Sequence, residues 1–256
     1  MKQVHIPGSV RLVSCITPMQ AELSRGSSFT DPKWIFEIKW DGYRAIAETT
    51  GDEPRLYSRN GISFAKAFPK LYEELKALRK NAIIDGEIVA LTPEGKPSFQ
   101  LLQNYNSRQK VPIQFQVFHC LAYDGKDLTG LPLIERKAFL KKVLSKSQVI
   151  RYCDHIEGEG DLFFQQIMKL DMEGMIAKRA DSKYTYGRSK LWLKVKNNKH
   201  DDFLIVGLFA FGFSPILQRL SLSRQQLGIS WARGRRVHQS ASQTDPHNVI
   251  RYHRPR

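Results

Sequence analysis

The chain has 256 residues, 41% of them hydrophobic, and a formal net charge of +15. That length fits one large domain or a domain and a half, and the apolar content supports a core, which excludes a largely disordered chain. No stretch approaches the ~18 apolar residues of a membrane-spanning helix, and a positive surplus of this size draws polyanions, nucleic acid first.

In chain order, the first ~30 residues form a lead-in. Met1 to Ile16 has two cations, Lys2 and Arg11, but no apolar segment or small-residue cleavage site, so a secretory leader is not expected. Cys15, Cys120 and Cys153 are too widely spaced for a zinc pattern and suit buried thiols in a reducing cytosol. After a loop from Ser24 to Thr30, residues 35–38 form a short strand that runs into Lys39-Trp40-Asp41-Gly42, where Asp-Gly marks a turn. Tyr43 to Glu48 alternates as a second strand, and Leu56 to Ser58 is a third, stopped by Asn60-Gly61. Pro69 opens a helix with Leu71, Leu75 and Leu78 on one face.

Residues 83–91 predict a strand broken at Asp85-Gly86, and residues 113–120 a β-rich run. Helices are expected over 133–144 and 161–170, and short strands over 174–177, 191–195 and 202–209. Strands with interspersed helices predict a mixed α+β domain of largely antiparallel sheets. The expected division is 1–200 and 201–256.

From Gly212 onward the chain has eight arginines and no lysine, against 21 lysines and 11 arginines before it. Apolar periodicity ends after Ile229. Two readings stay open: a basic, disordered tail that touches nucleic acid, or a shifted reading frame, which the alternative frames of the gene would reveal.

The chemistry centres on Lys39. A lysine is a nucleophile only when neutral, and at an ordinary pKa only roughly a few in ten thousand are neutral at pH 7. Neighbouring cations or a metal favour the neutral amine. Alone, Lys-x-Asp-Gly is an ordinary surface turn. Here, however, Lys39-Trp40-Asp41-Gly42-Tyr43-Arg44 is followed by Ser58-Arg59-Asn60-Gly61, Asp85-Gly86-Glu87, and Phe115 to Asp124. Glu173-Gly174-Met175-Ile176-Ala177-Lys178 and Trp192-Leu193-Lys194-Val195-Lys196 complete the series. In this order the segments resemble the motifs of the covalent nucleotidyltransferases: ATP-dependent DNA ligases, RNA ligases and capping enzymes.

The resemblance implies that Lys39 attacks the α-phosphate of ATP. Lys194 and Lys196, two apart on a strand and so on one face, would reach the same phosphate. Glu87 would serve the ribose hydroxyl or a metal, and Glu173 a magnesium ion, or manganese in its place. Arg44 and Arg59 would contact phosphate or ribose, although Arg44 could equally pair with Glu48. Phe118 and Met175 would enclose adenine from two faces, with Glu37 near its edge. One position departs from the pattern: His119 stands where related ligases commonly have Asp.

Asp31 to Ala45, with Leu131-Pro132-Leu133 and Glu135-Arg136, looks most like the ligase module of bacterial end-joining enzymes. The implied fold is a nucleotidyltransferase (ATP-grasp-like) domain of antiparallel sheets flanked by helices, followed by a truncated or aberrant OB-fold start. The implied activity seals nicked double-stranded DNA through a lysyl-AMP intermediate. A monomer is expected, cytoplasmic and DNA-associated in a bacterium, with end-binding repair proteins as possible partners. An RNA ligase or capping enzyme remains an alternative, as does a catalytically impaired nucleic-acid-binding remnant.

Overall fold

The computed structural model describes residues 15–24, 26–108, 110–144 and 147–197, and, as backbone strands, 203–211, 214–223 and 226–233. The lead-in before Cys15 and the basic tail after Arg233 lie outside the described residues. The chain divides into two compact units between Asn197 and Asn198.

In the first unit the elements run β1 (Met19–Leu23), β2 (Trp34–Ile38), β3 (Tyr43–Glu48), β4 (Arg55–Ser58), α1 (Pro69–Ala77), β5 (Ala82–Ala90) and α2 (Phe99–Gln103). Then come β6 (Ile113–Tyr123), β7 (Lys126–Asp127), α3 (Leu133–Val143), β8 (Ile150–Tyr152), β9 (Ile156–Glu157), α4 (Gly160–Lys169), β10 (Gly174–Arg179) and β11 (Gly187–Lys196). They build two sheets. One has the order β1-β11-β10-β2-β9; the other has β4-β3-β5-β6-β7, with β8 alongside β6. Pairing is mostly antiparallel, but β1 joins β11 and β8 joins β6 in parallel.

Each sheet has one face covered by helices. Ala45, Ala47, Ile84, Ile88, Phe115 and Val117 meet Leu71 and Leu75 of α1 and Leu140 and Val143 of α3 in the larger core. Phe36, Met175, Ala177 and Val195 meet Ile167 of α4 in the second. Strand alternation sends the intervening side chains to the opposite faces. There the sheets meet: Arg44 donates to the carbonyl of Met19, and His119 stacks on Trp192 with ring centres 4.5 Å apart.

The helices follow local rules. Pro69 occupies the first turn of α1, where its missing N–H costs no hydrogen bond. The Ser98 side chain caps α2 by accepting from the Leu101 amide at 3.3 Å. In α3 the buried residues are Leu133, Arg136, Lys137, Leu140 and Val143, so two cations share the inward stripe with the aliphatics.

The strand expected to break at Asp85-Gly86 is continuous, and the irregularity lies in its partner. Asp85 pairs with His119 but Gly86 with Val117, so Phe118 is the extra residue of a β-bulge. Gly86 belongs there because a Cβ would lie 2.5 Å from the Gln116 carbonyl oxygen.

In the second unit, β12 (Phe203–Phe211), β13 (Ser214–Ser223) and β14 (Gln226–Arg233) form an antiparallel meander. Only the first of these was expected. Among the described residues no helix is long and apolar enough to cross a membrane.

Candidate active site

Lys39 leaves the end of β2, and its amide donates to the carbonyl of Gly174 at 2.9 Å. This bond holds the nucleophile candidate beside the start of β10. Gly174 adopts φ +148, and a Cβ on it would come within 2.2 Å of the Val195 carbonyl oxygen. A glycine is therefore required between Glu173 and the strand. The Lys39 ammonium forms an ion pair with Glu173, and both side chains are partly exposed.

Register fixes what shares this face. Ile176 stands opposite Glu37 on β2 and opposite Lys194 on β11, while Gly174 stands opposite Lys196 and Lys178 opposite Trp192. Glu37, Ile176, Lys178, Trp192, Lys194 and Lys196 thus line one side of the sheet. Lys194 is held below the ordinary lysine range by burial and by Arg188, Lys196 and Lys39, against the pull of Glu173. The charge of Lys39 therefore reaches Lys194.

Met175 and Ala177 point the other way, into the core against α4. This corrects the expectation that Met175 encloses the base with Phe118. The residue on the Phe118 side is Ile176, because alternation places it on the Lys178 face, and Lys178 Nζ lies 4.3 Å from the centre of the Phe118 ring.

The second sheet contributes Arg44, Asp85, Glu87, Phe118 and His119. Arg44 donates to both oxygens of Asp85, at 2.5 and 2.7 Å, and its guanidinium lies 4.5 Å from the Phe118 ring centre. The Tyr184 hydroxyl donates to the same carboxylate at 2.9 Å. The acid partner of Arg44 is thus Asp85 and not Glu48, which is engaged by Arg55 and Tyr57. Glu87 stands directly across from Arg44. Burial raises its carboxyl to about 7, against the opposing pull of Arg44 and Lys39.

Glu37 is 1% exposed, and both its oxygens are engaged: Oε1 by Lys137 at 2.6 Å and Oε2 by Lys178 at 2.5 Å. Its carboxylate is therefore the centre of a buried ion triad, a role not expected from the sequence. Two flanking cations hold it below the usual carboxylate range in spite of burial. His119 is fully buried between Trp192 and Tyr184, with Nε2 3.5 Å from Lys178 Nζ. Burial and the cations Lys178, Arg136, Arg44 and Lys137 hold it well below the ordinary histidine range, so it is neutral. The aspartate of the general pattern is replaced here by an uncharged aromatic stack.

Arg59 is exposed on the turn after β4. Sequence reasoning missed Lys137, Ile176 and Tyr184 as site residues and quoted Lys178 and Trp192 without giving them roles. For most of them the signal was adjacency: Lys137 follows Arg136, and Ile176, Lys178 and Trp192 belong to quoted motifs, whereas Tyr184 lies between two motifs with no local signal.

Comparison with known proteins places this arrangement. Residues 18–196 match the family described as ATP dependent DNA ligase domain. A DNA ligase of Thermococcus onnurineus is 30% identical over 83% of this chain and 38% of its own length. The multifunctional non-homologous end joining protein LigD of Pseudomonas aeruginosa is 33% identical over 68% of this chain, which spans 21% of that protein. Among solved structures, a mycobacterial DNA ligase D complexed with ATP and MES superposes with a TM-score of 0.65 at 29% identity, covering 84% of this chain and 71% of the other. The chain spans well under half the length of these curated relatives. The matched segment runs from β1 through β11 and carries every motif around Lys39, and on that ground the chain belongs to the ATP-dependent DNA ligase domain family.

Proposed function

We propose that this chain adenylates itself on Lys39 with ATP and passes the AMP to nicked double-stranded DNA, in repair or end joining. The carrying observation is the convergence of Lys39, Glu173 and Lys194 at the junction of β2, β10 and β11, with Lys194 electrostatically coupled to Lys39. Residues 1–200 act as the adenylation module, and 201–256 begin an OB-type barrel that grips nucleic acid.

In the first step the neutral Lys39 amine attacks the α-phosphorus. An N–P bond forms, the P–O bond to pyrophosphate breaks, and the amine proton is lost. Such transfers depend on positioning and charge neutralisation, which Lys194 and Lys196 supply from one strand face. Arg44, fixed by Asp85, and Glu87 hold the ribose side, and Phe118 and Ile176 hold the base. Next, a 5′-phosphate oxygen attacks the same phosphorus and releases Lys39. Finally, a 3′-hydroxyl displaces AMP and closes the strand.

Among the described residues no cluster of three ligating side chains exists, so a caged ion such as structural zinc does not fit. Two carboxylates, Glu173 and Glu87, both within electrostatic reach of Lys39, do fit magnesium or manganese, which binds through few protein ligands together with phosphates. Such an ion, when bound, would be held by these two residues and would neutralise phosphate charge.

Incubation with α-labelled ATP and Mg²⁺ tests the reading. Covalent label on the parent and none on Lys39→Ala is the expected result, while label that persists in Lys39→Ala removes Lys39 as the nucleophile. Sealing of a DNA nick and not an RNA nick separates this function from that of an RNA ligase, and labelling by GTP would favour a capping enzyme.

A further inference from the structure

Glu37 is served by two lysines that differ in where else they are anchored. Lys137 comes from the inward stripe of α3. Its ammonium also donates to the Cys153 carbonyl at 3.0 Å and lies 4.6 Å from the Tyr152 ring centre, and its side chain is 1% exposed. The remaining neighbours of Lys178 are groups of the site itself: Phe118, Trp192 at 4.5 Å, and His119 Nε2. Among the described lysines only these two are fully buried.

We propose that Lys137 is a positioning residue for nucleotide binding: it is the fixed counter-ion that keeps Glu37 ionised and in place, so that Lys178 can leave Glu37 and turn to the nucleotide's base. This rests on the function proposed above and deepens it.

The reasoning is electrostatic. One carboxylate between two ammonium groups leaves a net positive charge in a region closed to water. A buried charge is costly to leave without a partner, so a lone Lys178–Glu37 pair would be locked. A second cation that never moves removes that lock. Lys178 then has a surplus charge, a carboxylate it can release, and the Phe118 ring beside it. A purine base supplies ring-nitrogen acceptors that can take its hydrogen bonds. Burial lowers and Glu37 raises both lysines; Cys153 and Tyr152 add to Glu37 at Lys137, which ends above the ordinary range, and Lys137 adds to burial at Lys178, which ends below it.

The first test uses the parent chain. Buried ammonium groups exchange slowly enough to give lysine ¹⁵Nζ NMR signals, and two are expected. Titration with ATP without divalent metal, where no covalent transfer follows, should move one signal and leave the other in place. Movement of both, or of neither while calorimetry records ATP binding, overturns the proposal. Absence of any ATP binding by calorimetry overturns the proposed function itself and this inference with it.

The second test uses Lys137→Met and Lys137→Arg. Lys137→Met should raise the KM for ATP in self-adenylation by roughly tenfold or more, with a smaller change in kcat, and the defect should deepen as pH falls. Lys137→Arg should restore KM to within about threefold of the parent. A folded Lys137→Met with the parental KM and pH profile reduces Lys137 to a packing role. If Lys137→Met does not fold, the NMR titration decides alone.

Discussion

Met175 and Ile176 are neighbours on one strand, and their side chains stand on opposite faces of its sheet. Met175 is fully buried against α4, whereas Ile176 is opposite Glu37 and Lys194 and is partly exposed. Truncating each should therefore have a different signature. Met175→Ala leaves a core cavity and should cost about 3 kcal/mol of stability in thermal melts, with little change in KM for ATP. Ile176→Ala should barely move the melting temperature and should raise that KM roughly tenfold, equivalent to about 1.4 kcal/mol. Equal behaviour of the two variants would remove the facing argument.

Lys194 is coupled to Lys39 across two strands. Lys194→Ala should lower the rate of self-adenylation by on the order of a hundredfold or more, because a positioned charge on the transferring phosphate is lost. Binding of ATP should weaken far less. Single-turnover labelling against ATP concentration separates the two effects. A change confined to binding would count against a role for Lys194 in transfer.

Glu87 titrates near neutrality, at about 7. The sign follows from its raised position: the native state holds the proton more tightly than the unfolded chain. Its contribution to stability is full below about pH 4.5 and is lost as pH rises through about 7, a change of about 3 kcal/mol. Glu87→Gln should remove this loss and be relatively more stable at pH 8 than at pH 5 when each is compared with the parent. Denaturant melts across that window provide the measurement. The same ionisation should govern labelling, with adenylation by the parent rising as pH passes through 7.

His119 acts in the opposite direction. Its proton is held more weakly in the native state than in the unfolded chain, so stability is present above about pH 6.5 and falls below it by about 1.4 kcal/mol per pH unit. Below about pH 6.5 this loss opposes the gain from Glu87, so the parent's profile should be shallower there than Glu87 alone would make it. His119→Asn should expose a steeper rise toward acid pH. An unchanged profile would mean that His119 can be charged in the folded protein.

The sequence made the strands legible because their alternation is strong: Tyr43–Glu48 has the bounds expected of it, and α1, α3 and α4 differ only at their ends. The motif glycines were legible for the same local reason. Facing was harder to read. Met175 looked suited to a base, but parity along β10 depends on the register with Glu37 and Lys194, which lie far away in the chain. Phe118 turns inward through a bulge that no single-strand pattern encodes. Lys137 was hidden because a lysine on an amphipathic helix is ordinarily solvated, and its burial requires a carboxylate a hundred residues earlier in the chain. The strands β13 and β14 follow a change in composition that masked their alternation.

The parallel pairing of β1 with β11 has a consequence for synthesis. Residues 19–23 can complete their sheet only after residues 187–194 exist, and β2 likewise awaits β10. Contacts this distant in sequence form slowly. On the ribosome, Lys39 emerges early, but Glu173, Gly174 and Lys194, which stand around it, arrive about 135 to 155 residues later, so a nascent or prematurely stopped chain carries Lys39 without the neighbours that hold it.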